Sequence, residues 1–353
     1  MQAKVARTIA KGRVREWLSQ LMEQGEVIAP TAGHMGDVIF APIPSPEKVV
    51  WHFENALHPP KQFVLPQTEP MVAIRRNGNG YDLEPIYDER KRIIFGIRNC
   101  DAKGIAFLDR MHTFELADAN YVRRRENVTL ISLACNVPCV QCFCICMDAG
   151  PFLQDDYDLQ LTDLGERLLA EVGSAKGQAL LDAAQGLFRP ASGGEMKQRM
   201  KLEETAKNEF GDVTSHFASA MRRISTGRVD EALWGQMSDW CLECGGCNLI
   251  CPTCYCFSVK DRKRDGADGM WVRCRTWDSC QYAAFTLEAS GHNPRPERKD
   301  RMKRRFFHKV SAQYYKRDGS VGCVGCGRCI KVCLGTTDMP AVVAAIRKGE
   351  WHG

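Results

Sequence analysis

Two cysteine runs of one form carry the chemistry of this chain. They are Cys241-x-x-Cys244-x-x-Cys247-x-x-x-Cys251-Pro252 and, near the C-terminal end, Cys323-x-x-Cys326-x-x-Cys329-x-x-x-Cys333. A tetrahedral zinc site usually takes two separated Cys-x-x-Cys knuckles. Three cysteines at successive three-residue steps instead curl the backbone around one larger object, with three sulfurs at three corners of a cube. The fourth cysteine then points towards a second cube, so each run lends its last sulfur to the other cluster. The pattern predicts two [4Fe-4S] clusters rather than zinc or structural thiols. One is expected on Cys241, Cys244, Cys247 and Cys333, the other on Cys323, Cys326, Cys329 and Cys251. The glycines of Cys244-Gly245-Gly246-Cys247 and Cys326-Gly327-Arg328-Cys329 permit tight turns and let amide groups reach cluster sulfurs.

A second constellation lies upstream. Cys135, Cys139, Cys142, Cys144 and Cys146 fall within a dozen residues. Unligated reactive thiols are one reading. The other is a third cluster, to which Cys142-Phe143-Cys144 gives two sulfurs from one turn while Cys100 and Cys135 give two more. Asp101 is a poorer ligand, being hard where the site is soft. Cys254, Cys256, Cys274 and Cys280 either tune a cluster or bind a further one; their spacing does not decide.

Composition bounds these readings. The chain has 353 residues, enough for two domains, and 44% are hydrophobic, enough for a real core. Eighteen cysteines without an export signal at the N-terminus predict thiolates on metal in a reducing cytoplasm, not disulfides. No apolar stretch is long enough to cross a bilayer. The formal charge of +5 counts cysteines as neutral. Each oxidised cubane with four thiolates carries roughly −2, so three would bring the total to about −1. The basic run Arg298-Lys299-Asp300-Arg301-Met302-Lys303-Arg304-Arg305 has no base-stacking motif beside it and reads as a solvated helix face or docking surface rather than a nucleic-acid patch. Arg123-Arg124-Arg125 reads as a partner contact, a cluster edge or a plain surface run. There is no nucleophile elbow, HExxH or dinucleotide fingerprint, and the histidines form no metal-ligand spacing.

These groups need elements to place them. The N-terminus reads as an amphipathic helix running to about Glu23, and Val38–Pro42 and Val49–Phe53 as strands. Asn77-Gly78-Asn79-Gly80 reads as a tight turn. Arg92–Ile97 and Asn127–Leu133 read as buried strands joined by a helix over Ala102–His112, a βαβ unit with parallel strands. Cys100 and Cys135 would then share the carboxyl edge of the sheet, the usual place for cofactors. Helix is expected at Leu164–Ala170, Ala179–Ala184 and, as one long polar rod, from about Glu195 to Arg223. The fold class expected is an α/β N-terminal domain, residues 1–228, with a cluster at its sheet edge. A mainly α-helical two-cluster ferredoxin-like domain, residues 229–353, should follow, because Cys251 to Cys323 spans more chain than a compact ferredoxin needs.

Taken in order, Gly96-Ile97-Arg98-Asn99-Cys100-Asp101, Tyr121-Val122-Arg123-Arg124, Cys142-Phe143-Cys144, Leu161-Thr162-Asp163-Leu164-Gly165, Cys251-Pro252-Thr253-Cys254-Tyr255-Cys256-Phe257, Trp277-Asp278-Ser279-Cys280 and Cys323-Val324-Gly325-Cys326-Gly327-Arg328-Cys329 cover most of the chain. In them the sequence resembles the family that holds the beta (iron–sulfur) subunit of sulfhydrogenase together with the corresponding iron–sulfur subunit of anaerobic sulfite reductase. The resemblance implies a non-catalytic electron-transfer subunit of anaerobic metabolism. Such a subunit sits between a flavin-containing, NAD(P)-binding reductase partner and a terminal redox partner such as a sulfite reductase or a [NiFe] hydrogenase. It supports Cys100, Cys135, Cys142 and Cys144 as a site and leaves Cys139 and Cys146 outside it. Leu334 stands where proline would be usual, which touches the turn and not the cluster. A heterodisulfide-reductase-type complex, a self-contained reductase and an iron–sulfur regulatory or nucleic-acid-binding protein remain as alternatives.

Overall fold

The computed structural model describes residues 5–184, 186–211, 213–264 and 269–352, the side chains of 213–215 and 318 excepted. The first four residues of the expected N-terminal helix fall outside that range. The chain opens instead with a strand, β1 (Ala6–Ala10), and only then forms a helix, α1 (Val14–Gln24). It continues through β2 (Glu26–Ala32), β3 (Val38–Pro42), β4 (Thr68–Asn77) and β5 (Gly80–Pro85), the last two joined by the expected turn at Gly78-Asn79. Val49–Phe53 forms no strand; its Val50 amide bonds to Pro30 O, outside any ladder. The βαβ unit is present as β6 (Arg92–Arg98), α2 (Asn99–Thr113), a short α3 (Ala119–Glu126) and β7 (Val128–Leu133). After β8 (Leu159–Asp163) the expected helix at Leu164–Ala170 is instead a second hairpin strand, β9 (Arg167–Val172). Gly165 at φ +97° makes the turn, and Leu168, Leu169 and Ala170 are buried in the sheet. Next come α4 (Ala175–Ala183) and the two-residue β10 (Arg189–Pro190).

These strands form one eight-stranded sheet in the order β10-β1-β9-β8-β7-β6-β2-β3. The pairs β2/β6, β6/β7 and β7/β8 are parallel and the margins antiparallel. Every residue of β6 is buried, as expected for a strand covered on both faces. α1 covers one face with Trp17, Leu18 and Leu21, and α2 the other with Ile105 and Leu108.

The expected long rod is two helices, α5 (Gly193–Asn208) and α6 (Val213–Ser225). Ser192 and Glu195 close a capping box at the start of α5, and Gly211 at φ +55° marks the break. The break lets the two halves serve different cores. Arg199 of α5 pairs with Glu171 of the sheet at 2.9 Å, whereas Phe217 of α6 stacks on Phe143 in the cysteine loop, centroids 4.7 Å apart.

The remainder holds α7 (Glu231–Asp239), α8 (Gly246–Leu249), β11 (Phe257–Lys263), β12 (Met270–Trp277), α9 (Arg298–Val310), α10 (Ala312–Asp318), α11 (Arg328–Val332) and α12 (Met339–Lys348). A mainly helical region was expected here; the segment is mixed. Its hairpin joins β4 and β5 in a second sheet, β11-β12-β4-β5, with Met270 opposite Arg75 and Thr276 opposite Thr68. Residues on both sides of position 228 thus share one sheet. Buried Glu69 of β4 fastens it, held by Arg275 of β12 and Arg124 of α3. Arg124 is therefore structural, as is Arg125, paired with Asp109 at 3.1 Å; Arg123 lies over the Tyr87 ring. Among the described residues no helix is long and apolar enough to cross a membrane.

Candidate metal centres

Three cavities lined by cysteines lie in succession. The first, about 430 Å³, is lined by Cys241, Cys244, Cys247 and Cys333. Cys241 follows α7, Cys247 sits on α8, and Cys333 ends α11. The second, about 380 Å³, is lined by Cys251, Cys323, Cys326 and Cys329. The last cysteine of each run thus stands in the other run's cavity. The two runs share a backbone form, because Gly245 (φ 70°, ψ −5°) and Gly327 (φ 75°, ψ −5°) each cap the short helix that carries the third cysteine. Side chains at these glycines would be strained and crowded: a Cβ would lie 2.7 Å from the Tyr282 ring at Gly245 and 2.5 Å from Gln141 O at Gly327. Cys247 and Arg305 line both cavities, so the two are adjacent.

The third cavity, about 300 Å³, is lined by Cys100, Cys135, Cys139, Cys142 and Cys144. β6 and β7 end in register, Arg98 opposite Leu133, which brings Cys100 in the first turn of α2 and Cys135 just past β7 to one edge. Cys139 was expected to stand apart, yet it lines this cavity; Cys146 does not. The third cavity is locked to the second. Phe143 N donates to Gly325 O at 2.8 Å, and a Cβ at Gly325 would lie 2.5 Å from Phe143 carbonyl atoms. Asp101 is no ligand. Its two carboxylate oxygens accept from Arg328 at 2.7 and 2.9 Å, in an ion pair that is fully buried and joins the start of α2 to the Cys326–Cys329 turn.

The charges around the sulfurs were not visible as such in the sequence. The basic run is not a solvated face. In α9 the residues Arg301, Arg305 and Lys309 are buried, interleaved with Met302, Phe306 and Val310 on the same side. The signal was present as four-residue spacing of cations beside four-residue spacing of apolar residues. Arg301 pairs with Glu243. Arg305, Lys309 and the buried Lys61 have no carboxylate partner among the described residues. Arg305 Nε has no hydrogen-bond partner, Lys309 Nζ donates to Thr253 Oγ1 at 2.7 Å, and Lys61 Nζ donates to Cys251 O and Cys254 O at 2.7 and 3.1 Å. Burial pulls the Lys61 ammonium down to about 8. Burial opposes the charges of Arg305 and Lys309 as well, but the cysteines beside them hold both above their usual values.

Burying an uncompensated ion costs several kcal/mol. These cations therefore fit a site that carries negative charge, and thiolates on iron carry it. Burial pushes the Cys329 thiol up to about 12, whereas the Cys254 thiol, Lys309 and Lys61 draw Cys251 well below the usual thiol value, so the cations favour thiolate beside them. Among the described residues, no three His, Cys, Asp or Glu side chains converge on a single point that would hold one metal ion. The donor sets, four or five sulfurs spread round each cavity, fit a cluster.

Three further thiols, Cys254, Cys256 and Cys280, line none of the three cavities. Cys254 neighbours Cys251, while Cys256 neighbours Cys280, whose sulfur accepts from Asn248 Nδ2 at 3.1 Å. The Cys256 thiol beside it, with help from Gln281 and Asn248, brings Cys280 down to about 6. Cys274 is apart on β12.

Comparison with known proteins agrees with the runs and extends beyond them. A family model described as a 4Fe-4S dicluster domain matches residues 240–337. Sulfhydrogenase 2 subunit beta of Pyrococcus furiosus is 29% identical over 342 residues, covering 95% of this chain and 96% of that protein. Among solved structures, a chain of the F420-reducing [NiFe] hydrogenase complex from Methanosarcina barkeri, studied with xenon, aligns over 61% of this chain and 92% of its own at 10% identity and a TM-score of 0.39. The chain thus carries a 4Fe-4S dicluster domain, which implies two clusters, within a sequence similar along nearly its whole length to a sulfhydrogenase beta subunit.

Proposed function

We propose that this chain is the iron–sulfur electron-transfer subunit of a hydrogenase-type complex, relaying electrons between a flavin-containing, NAD(P)H-oxidising partner and a terminal partner such as a [NiFe] hydrogenase or a sulfite reductase. The observation that carries this reading is the row of three thiol-lined cavities. The first two share Cys247 and Arg305, and Phe143, set between Cys142 and Cys144 of the third, lines the second. Cys241, Cys244, Cys247 and Cys333 would hold one [4Fe-4S] cluster, and Cys323, Cys326, Cys329 and Cys251 a second. Cys100, Cys135, Cys142 and Cys144 would hold a third, with Cys139 as a neighbouring thiol. When bound, such clusters supply one-electron redox chemistry. The chain's own residues set the conditions for it. Arg305 places a buried cation against the first two cavities, Lys309 against the second, and the Arg328–Asp101 pair fixes the second cavity to the third. Cys244 is exposed, so the first cavity opens to solvent and offers the natural end for a partner.

Iron analysis and electron paramagnetic resonance after anaerobic purification test this. About twelve irons per chain are expected from three cubanes, and about eight would remove the third. The isolated polypeptide should neither oxidise NAD(P)H nor reduce sulfite; turnover of NADPH by it alone would sink the relay assignment.

A further inference from the structure

Cys256 and Cys280 form a site of another kind. They line none of the thiol cavities, and among the described residues no group of three His, Cys, Asp or Glu side chains converges to hold a metal ion. The hairpin brings them together. β11 and β12 run in register from Lys263 opposite Trp271 to Phe257 opposite Trp277. Just past that foot, Asp278 N donates to Cys256 O at 2.9 Å. The Asp278 carboxylate then accepts from Ser258 Oγ and from Ser279 N, which turns the chain back on itself. Cys280 therefore returns beside Cys256, with its amide donating to the Cys256 sulfur and the two thiols in contact.

The two sulfurs are not equivalent. Three donors aim at Cys280: the Cys256 thiol, Asn248 Nδ2 at 3.1 Å and Gln281 Nε2 at 3.9 Å. Asn248 is itself fixed, buried and bonded to Ser279 Oγ at 3.0 Å. A sulfur that receives such donors is held as thiolate, the nucleophilic form, while its neighbour keeps the proton. Both residues are half-buried and Phe257, next to Cys256, is exposed, so a small molecule can reach the pair. A thiolate, a second thiol touching it and no metal pocket make a dithiol built for exchange.

We propose that Cys256 and Cys280 are a redox-active dithiol that reacts with low-molecular-weight disulfides, Cys280 attacking and Cys256 resolving. The Cys280 thiolate attacks one sulfur of the small disulfide and breaks its S–S bond; the thiolate that leaves takes the Cys256 proton. Cys256 then attacks Cys280, forming the Cys256–Cys280 bond and releasing the second thiolate, which takes a proton from water. The two cysteines are oxidised by two electrons and the small disulfide is reduced to two thiols. This two-electron exchange goes beyond the one-electron relay and does not depend on it.

The full chain, purified anaerobically with its iron, is incubated with excess glutathione disulfide and quenched in acid. Free thiols are alkylated in denaturant, peptides are mapped by mass spectrometry, and iron is measured on the same samples. A Cys256–Cys280 link should form without loss of iron, and dithiothreitol should reverse it. Cys256→Ser should stop the reaction half-way, with one glutathione left on Cys280. Cys280→Ser should take up glutathione at Cys256 at least about tenfold more slowly than Cys256→Ser takes it up at Cys280. The unsubstituted chain carries the main readout, so the test stands even if a variant folds poorly. Absence of the link, equal trapping rates in the two variants, or loss of about four irons in Cys280→Ser, which would make that sulfur a cluster ligand, would each overturn the proposal. Total iron and the cluster spectra report on the relay reading separately, so either can fail without the other.

Discussion

The two ferredoxin-type cavities and the sheet-edge cavity hold the same kind of side chain and are built in opposite ways. The first two are local. Each takes three sulfurs from seven consecutive residues, and a left-handed glycine at the same place in both runs folds them inward. The third collects its sulfurs from Cys100 to Cys144, from a helix start, a strand end and a loop. It exists only because β6 and β7 are parallel and end in register. A site coded by spacing depends on its metal to close it. A site coded by topology depends on the sheet, which stands without metal.

The largest effect should follow from that difference. Removing iron anaerobically with a chelator should unfold the region of the two runs, since the four sulfurs and Arg305 of each cavity, with Lys309 in the second, would lose their common partner. The eight-stranded sheet should survive. Hydrogen exchange checks both halves; retained protection across α8 and α11 in the iron-free protein would erase the contrast. Next in size, Cys142→Ser should remove one cluster signal and about four irons, leaving the two ferredoxin-type signals intact. If iron and resonance are unchanged, the cysteine loop is an unligated thiol patch.

How much of this the sequence disclosed follows the same division. The paired runs, with the crossing of Cys251 and Cys333, could be read from spacing, because the spacing itself bends the backbone. The βαβ unit could be read because β6 is apolar from Ile93 to Ile97, between its two terminal arginines. Leu164–Ala170 misled: a strand buried on both faces and a short helix show the same run of apolar residues, and only the turn at Gly165 separates them. The hairpin pairing of β12 with β4 spans some two hundred residues and leaves no local trace. The buried cations of α9 were hidden by their chemistry, since a run of arginine and lysine reads as surface until the apolar residues between them are placed on the same side. Arg328–Asp101 was hidden twice over, because each partner sits inside a cysteine motif and the two motifs are far apart in the chain.

That pair sharpens the comparison, because it is where the two kinds of site meet. Arg328→Ala leaves the Asp101 carboxylate buried and alone, and should cost about 3–5 kcal/mol of unfolding stability. A double variant, Asp101→Asn with Arg328→Met, should recover a good part of that by removing both charges. Denaturant unfolding under anaerobic conditions measures it; a single variant as stable as the parent would mean that the two cavities are not held together here. Smaller still, Arg305→Met should leave iron content intact but lower the midpoint potentials of the two ferredoxin-type clusters by tens of millivolts, since a buried cation favours the reduced, more negative state. Unchanged potentials in a redox titration would show that its charge is not felt by the clusters.

The smallest effect is expected at Cys139, and it tests how a topological site chooses its ligands. Five sulfurs line the third cavity and a cubane takes four. Cys100 and Cys135 are placed by the sheet edge, and Cys142 and Cys144 flank Phe143, whose amide is tied to Gly325 and whose ring is stacked on Phe217. Cys139 has no such anchor: it precedes the turn that ends at Cys142, where its carbonyl accepts from the Cys142 amide at 3.0 Å, and its thiol touches that of Cys142. Cys144 makes the same thiol contact with Cys142, so it is the missing anchor that marks Cys139 as the sulfur a cubane can leave out. Cys139→Ser should therefore keep all the iron and shift only the spectrum or potential of the third cluster. Loss of about four irons on this substitution would make Cys139 the ligand, and the anchored loop would then be positioning a different set of four.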